Sequence, residues 1–257
     1  MIDLARFHSV AKEPHPNEIP SRWQDQQRRA ADLSRVGDLH SARAVLYALI
    51  DEIEEADGPD SVWSVLPLRQ LAICFARASV NPMDPDVEAE VNCLQRALSI
   101  ARKRLPRDNY WRAEIADRIG TLLSIAGRPD DAFEYLAECL EGVRHDSVPD
   151  DFLPALSSAA GIRLQQGRAA EALPLFEELA AGFDTSTNAA VKAFPTAHGL
   201  AYYNCGRCLD ALGRLDEAQS RFERALQILH DDSHSFLDTI RRELADVRLK
   251  LAAARGL

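Results

Sequence analysis

The chain has 257 residues, of which 46% are hydrophobic and 27% charged, and a formal net charge of −10. These values are typical of a folded chain, and the negative balance argues against nucleic acids or anionic membranes as general partners. No apolar run reaches the roughly 18 residues of a membrane span, and the start of the chain lacks a signal-peptide pattern. Five cysteines do not make an even disulfide set. Together these features predict a cytoplasmic protein.

Residues 1–20 predict a short helix followed by a proline-containing linker, and residues 21–234 predict an array of paired helices. Four segments of the array share one turn pattern, in which alanine follows glycine after four intervening residues and apolar residues then recur at helical spacing. The glycine is expected in the turn between two helices, and alanine leaves room where the helices cross closely. The four pairs are Gly37 and Ala42, Gly127 and Ala132, Gly167 and Ala172, and Gly213 and Ala218.

The repeat length follows from five small residues in the helices before the turns. They recur at intervals of 40 to 48 residues and are Ala30, Ala72, Gly120, Ala160 and Gly206. The second copy has no turn glycine, since its turn is Asn81–Pro85, yet Val91–Ile100 matches the apolar spacing of the second helix in the last copy. A period of this size with two helices per unit indicates a helical repeat protein.

Three aspartates lie one or two residues after a proline, where a first helix is expected to begin. The side chain of an N-cap residue accepts a hydrogen bond from a free N–H group of the first helical turn. We therefore expect N-caps at Asp60, Asp108 and Asp150.

Residues 235–257 predict a C-terminal helix that begins at Ser235 and carries an apolar seam with heptad spacing. The seam consists of Leu237, Ile240, Leu244, Val247, Leu251 and Ala254. A repeat array needs a terminal helix with one polar face to cover its last packing surface, whereas the same seam suits a short coiled coil between two chains. Three heptads are near the lower limit for an independent coiled coil, so we favour the capping helix and a monomer over a homodimer.

Residues 199–228 fill almost every signature position of the tetratricopeptide repeat, and the chain from about residue 20 to residue 255 resembles the tetratricopeptide repeat (TPR) family. The period exceeds the usual 34 residues or so, which makes the chain similar to the long-repeat variety of kinesin light chains. HEAT repeats of similar length lack the glycine–alanine turn pattern. The resemblance implies an all-α, right-handed α-solenoid of about five helix pairs with a C-terminal capping helix.

In TPR arrays the first helices of successive repeats line a concave groove. Alignment to residues 199–228 also places Ser157 and Ser158 toward this groove. The predicted groove residues that would bind a partner are Arg28, Arg35, Arg69, Arg77, Arg118, Tyr203, Asn204 and Arg207. Arginine recognises carboxylates through two parallel hydrogen bonds, so the groove is expected to bind a peptide or protein with an acidic segment.

The predicted function is therefore a non-catalytic scaffold or adaptor that binds a peptide segment or partner protein. A regulatory sensor and a structural subunit of a larger assembly remain alternatives. Cys205 and Cys208 form a C-x-x-C motif, but no second ligand pair accompanies them as a zinc site requires, and we assign both thiols to the core. The sequence predicts no catalytic residue, metal or cofactor, and neither nucleic acid nor membrane as a partner.

Overall fold

The computed structural model describes residues 19–78, 85–143, 150–189, 195–229 and 234–255. Within these ranges the chain contains eleven α-helices and no β-strand, and no helix is both long and apolar enough to cross a bilayer. The helix predicted within residues 1–18 and the turn at residues 81–84 lie outside the described residues.

The chain divides into two compact units, the first ending at Ala126 and the second beginning at Gly127. The first unit contains α1 (Ser21–Val36), α2 (Leu39–Asp57), α3 (Val65–Ala78), α4 (Pro85–Arg104) and α5 (Tyr110–Ile125). The second contains α6 (Pro129–Val143), α7 (Leu153–Gln165), α8 (Ala169–Thr185), α9 (Pro195–Ala211), α10 (Leu215–Ile228) and α11 (His234–Ala254). The division falls inside the third predicted helix pair, between α5 and α6.

Within each unit, every helix packs mainly on the helices that precede and follow it along the chain. This succession of neighbour contacts is the packing of helical repeat proteins. In unit 2, α7 and α9 both pack on α8, and α9 and α10 form the pair predicted around Gly213.

The turns between paired helices have the left-handed geometry that glycine favours. The φ angles are 90° at Gly37, 75° at Gly127, 72° at Gly167 and 73° at Gly213. At Gly37, its own N–H donates to the Ser34 carbonyl at 3.2 Å and the next N–H donates to the Leu33 carbonyl at 3.0 Å. This pattern satisfies carbonyls that a helix end otherwise leaves unpaired. The alanines that follow the turns are fully buried: Ala42, Ala132, Ala172 and Ala218.

Gly206 lies where α9 crosses α10 at close range. A Cβ atom added to Gly206 would stand 2.7 Å from Cε1 of Phe222, closer than side chains normally approach. Gly199, two helical turns earlier on α9, makes a similar approach to Leu229, whose side chain an added Cβ would overlap. The repeat spacing indicated the first contact, whereas nothing in the local pattern indicated the second.

The helix N-termini differ from the predicted caps. Asn109, not Asp108, caps α5, because its side chain accepts a hydrogen bond from the second helical N–H at 2.9 Å. Ser61, not Asp60, caps the short 3-10 turn before α3. Asp60 instead accepts hydrogen bonds from Nζ of Lys103 at 2.8 Å. In both cases the N-cap is the residue directly after the predicted aspartate.

Helix α11 begins at His234, one residue before the predicted start, and packs on α10. Its apolar seam is buried within the single chain at Leu237, Ile240, Leu244, Val247 and Leu251, while Ala254 is exposed. Leu249, on another face of the helix, is 69% exposed. The seam is thus covered by the preceding repeat.

Candidate binding groove

A cavity of about 600 Å³ opens in unit 2 where α7 and α9 both pack on α8. Its floor is formed by Phe176, Leu179 and Phe183 of α8, and apolar walls come from Leu153 of α7 and Leu200 of α9. Phe176 and Leu179 are also buried in the helix core. The cavity is therefore built directly on the packing that holds the three helices together.

Polar groups occupy the rim of the cavity. Ser157 and Ser158 of α7 and Asn204 of α9, all predicted groove positions, line it. Asp150 and Asp151, just before α7, lie at one end. Asp150 is not the N-cap of α7, which is Phe152 without a side-chain cap. Asp150 begins the short 3-10 turn before α7, and its Oδ2 accepts a hydrogen bond from Ser186 Oγ at 2.8 Å. The lining supplied by the described residues contains no lysine, arginine or histidine.

A polar cluster beside the cavity holds Phe183 in place. The ring of His198 stacks on that of Phe183, with centroids 5.5 Å apart. Asp184 accepts a hydrogen bond from the Tyr202 hydroxyl at 2.6 Å and lies 2.9 Å from His198 Nε2. Burial, aided by the hydrogen bond to Asp184, raises the pKa of Tyr202, so this hydroxyl remains a proton donor. The cluster links the end of α8 to α9 and fixes one wall.

Tyr203 does not face the groove, contrary to the sequence alignment. Tyr203 is 6% exposed, and its ring packs between Phe222 and Phe236, with centroid distances of 5.8 Å to each. Its hydroxyl donates to Glu243 Oε1 at 2.9 Å, and burial raises the pKa of Tyr203 to about 12. Adjacent helical residues point about 100° apart, so Asn204 faces the cavity while Tyr203 joins α9 to α11.

Two of the predicted groove arginines in unit 1 are held by carboxylates of their own chain. Arg69 donates from Nε and Nη2 to the two carboxylate oxygens of Glu114, at 2.7 and 2.6 Å. Arg118 donates from Nε to Oε1 of Glu90 at 2.8 Å, and Glu90 is only 3% exposed. Removing the partner of a buried carboxylate destabilises a protein. These two guanidinium groups therefore stabilise the fold through Glu114 and Glu90.

The other predicted arginines are exposed and more loosely held. Arg28 pairs with Asp25 at 3.3 Å and Arg35 with Asp32 at 2.7 Å, each one helical turn away. Arg77 donates to the carbonyl and, at 3.2 Å, to the hydroxyl of Ser34. Arg28 and Arg35 thus pair within α1, and Arg77 reaches Ser34 of the same helix from α3. Binding of an acidic partner by these arginines remains a prediction.

Arg207 is the predicted groove arginine in unit 2. It is exposed and lies within 3.5 Å of Asn204 Oδ1, with its guanidinium carbon 5.7 Å from the centroid of the Tyr203 ring. No carboxylate of the described chain forms an ion pair with it. Arg207 therefore leaves its charge toward solvent, one turn beyond the cavity.

A carboxylate with an altered pKa lies beside the Arg118 pair. Burial, together with the charge of Glu114, raises the pKa of Asp117 to about 6. Its Oδ1 is buried and has no hydrogen-bond partner among the described residues. Burial also raises the pKa of Glu90, against the opposing effect of Arg118. Burial thus disfavours the charged forms of one carboxylate on α5, Asp117, and one on α4, Glu90.

Cys205 and Cys208 are both fully buried on α9. Burial raises the pKa of Cys205 to about 12 and that of Cys208 to about 11. The thiolate is the form that attacks substrates and binds metals, and burial disfavours it. Both residues pack in the core, as expected from the sequence.

Comparison with known proteins agrees with these features. Residues 163–237 match the tetratricopeptide repeat family. Over 113 residues, 44% of the chain, the sequence is 30% identical to Protein CTR9 homolog of Arabidopsis thaliana, and this match spans 9% of that protein's length.

Solved structures extend the likeness to most of the chain. A TPR protein of Parabacteroides merdae is 18% identical with a TM-score of 0.59, covering 91% of this chain and 76% of its own. The structure of a candidate kinesin light chain from Podosopora anserina, which consists of nearly identical TPR-like repeats, matches with a TM-score of 0.57. It is 18% identical in sequence to this chain, and the match covers 85% of this chain and 99% of the other. The fold is that of tetratricopeptide repeats. The predicted resemblance and the all-α fold class are confirmed.

TPR repeats generally mediate protein–protein interactions, and such arrays are generally non-catalytic. In TPR terms, α7 and α9 are first helices of successive repeats, and α8 is the second helix between them. The cavity of unit 2 thus lies on the side that first helices line in repeat arrays. Leu200, Phe183 and Asp151 were missed as lining residues, because their spacing is that of ordinary core and turn positions.

Proposed function

We propose that this chain is a non-catalytic protein-interaction module whose unit 2 cavity receives an apolar side chain of a bound peptide segment or partner protein. The observation that carries the proposal is the cavity between α7 and α9, which has an apolar floor and walls. Its volume, about 600 Å³, lies within the range of ligand sites, which is roughly 300–1,000 Å³. Burying one large apolar side chain there contributes about 1.5–3 kcal/mol.

The rim supplies what an extended backbone requires. Ser157, Ser158 and Asn204 offer hydroxyl and amide groups that donate to or accept from peptide groups. A few placed polar groups orient a ligand in a mostly apolar site, and the cavity itself selects the side chain that fills it. A carboxylate on the partner would meet Arg207 in unit 2 or Arg77 in unit 1, since Arg69 and Arg118 are held by Glu114 and Glu90.

The test is to block the cavity while leaving the rest of the surface intact. Ser157→Trp places an indole at the exposed rim of the cavity, whereas Ser220→Trp, on the exposed surface of α10, serves as the matched control. A random peptide display library is selected on the wild-type chain, and synthetic copies of enriched peptides are titrated by fluorescence anisotropy. We expect Ser157→Trp to weaken binding at least tenfold and Ser220→Trp to leave it within twofold.

Equal binding by the wild type and Ser157→Trp would reject the cavity as the binding site. It would favour the alternative of a structural subunit that uses another surface. Melting temperatures of both variants near that of the wild type are required to attribute a loss of binding to the cavity.

A regulatory sensor is the second candidate, and the same cavity favours it. An enclosure of this size with an apolar floor also suits a small apolar molecule. A ligand that binds only the folded chain stabilises it by about 2.7 kcal/mol at a hundredfold excess over Kd. The test is a thermal-shift screen of a small-molecule library. A compound that raises the melting temperature of the wild type but not that of Ser157→Trp would support the sensor.

A further inference from the structure

The two ends of the unit 2 groove carry opposite charges. Asp150 and Asp151 line the cavity where α7 begins. Asp151 is exposed and forms no ion pair with the described part of the chain. Toward the other end, Arg207 projects one turn beyond Asn204 and is likewise without a carboxylate partner among the described residues. Asp210, the next carboxylate on α9, is held by Lys250 at 2.7 Å.

Helix dipoles do not cancel this arrangement. Each helix N-terminus carries about half a positive charge, and the N-termini of α7 and α9 lie at the acidic end. Two carboxylates outweigh those two half charges. The C-terminus of α9 contributes about half a negative charge near Arg207, which the full guanidinium charge exceeds. Among the described residues, the groove is therefore negative at one end and positive at the other.

The length of the groove sets the length of its occupant. Ala197 lines the cavity near the start of α9, and Arg207 lies ten residues further along the same helix. At a rise of 1.5 Å per residue this separation is about 15 Å. An extended peptide advances about 3.3 Å per residue. Four or five extended residues thus span the stretch of α9 from Ala197, at the acidic end, to Arg207.

We propose that the occupant is an extended peptide segment of defined charge order. A lysine or arginine lies at the Asp151 end, a bulky apolar residue fills the cavity, and an aspartate or glutamate meets Arg207. The two charged residues are four or five positions apart, with the apolar residue between them. This assignment rests on the proposed function, because it specifies the ligand of the same cavity.

The experiment selects seven-residue random peptides, flanked on both sides by Gly-Ser linkers, on four forms of the full chain. These are the wild type, Asp151→Lys, Arg207→Glu and Ser157→Trp. The wild type should enrich the order cation, apolar, anion. Asp151→Lys should replace the preferred cation by an acidic residue, and Arg207→Glu should replace the preferred anion by a basic one. Each single charge reversal in a synthetic peptide should cost about two- to fivefold in affinity and less at high salt.

The outcomes separate this inference from the proposed function. Enriched peptides that lose binding with Ser157→Trp but show no charge order, or an order that neither reversal changes, would overturn the inference and leave the cavity as a peptide site. No enrichment on the wild type over Ser157→Trp would overturn both. Both reversed residues are exposed, so circular dichroism and melting curves should match the wild type.

Discussion

Arg69 and Glu114 are joined by two parallel hydrogen bonds of 2.7 and 2.6 Å although 45 residues separate them in sequence. The guanidinium carbon of Arg69 also lies 4.8 Å from the centroid of the Trp111 ring. The pair connects α3 and α5, the first helices of consecutive repeats in unit 1. Similar contacts lie about one repeat apart elsewhere, as between Arg43 and Asp86, which are 43 residues apart and 2.8 Å distant.

Arg69→Ala should destabilise the chain by about 1–2 kcal/mol, because it leaves the half-buried Glu114 without its partner. Arg28→Ala removes the exposed ion pair with Asp25, which lies one helical turn away, and should change stability by no more than about 0.5 kcal/mol. Urea unfolding of both variants measures the difference. If Arg69→Ala unfolds like the wild type and instead loses peptide binding, Arg69 belongs to a ligand site and not to the link between repeats.

Gly206→Ala should be less stable than the wild type, whereas Gly161→Ala should be equally or more stable. Both glycines lie inside helices, so the higher helix propensity of alanine should stabilise each variant by a similar amount, about 1 kcal/mol. Only at Gly206 does the added Cβ collide with Phe222, while at Gly161 nothing lies within 4 Å. Overpacking costs about 1–3 kcal/mol. Thermal unfolding that shows no difference between the two variants would place the close crossing of α9 and α10 elsewhere.

Asp117→Asn should stabilise the chain at neutral pH. The pKa of Asp117 is raised from 3.8 to about 6, so the folded state binds its proton more tightly than the unfolded state. The stabilising effect of that proton is fully present below pH 4 or so and is lost as the pH rises through about 6. Two pKa units correspond to roughly 3 kcal/mol at most.

Urea midpoints from pH 4 to pH 8 test this expectation. The wild type should lose about 1–3 kcal/mol across the interval relative to Asp117→Asn, and the two should converge at pH 4. Glu88→Gln, which removes an exposed carboxylate from α4, is the control for general charge effects. Parallel pH curves for the wild type and Asp117→Asn would show that Asp117 titrates normally.

Ile240→Ala should destabilise the chain by about 2–4 kcal/mol, since Ile240 is fully buried between α11 and α10. Leu249→Ala, on the exposed face of α11, should change stability by no more than about 0.5 kcal/mol. Light scattering of the wild type should give the mass of a single chain. A stable dimer that Ile240→Ala converts to a folded monomer would instead assign the seam to pairing between chains.

The turns of the fold could be predicted because their chemistry is local. A glycine such as Gly167 adopts a positive φ within its own turn, and Ala172 is small within its own helix, so both can be recognised from a few neighbouring residues. The caps at Asn109 and Ser61 were displaced by one position, since several adjacent polar residues satisfy the same local requirement.

The binding surface was less predictable because its geometry depends on distant residues. Tyr203 and Asn204 are adjacent, and an error of one position in the alignment exchanges the core face of α9 for its groove face. The partners of Arg69 and Arg118 lie 45 and 28 residues away. Phe176 and Phe183 have the apolar spacing of any buried helix, so only the placement of α7 and α9 shows that they floor a cavity.

The packing of each helix on its chain neighbours also governs how the chain acquires its structure. Contacts between residues close in sequence have a small loop-closure cost, and chains with low contact order fold rapidly. A nucleus can form at any helix pair and grow by addition of the next helix. Because Arg69 lies in the first compact unit and Ile240 in the second, a substitution at one should leave the folding rate of the other unit unchanged.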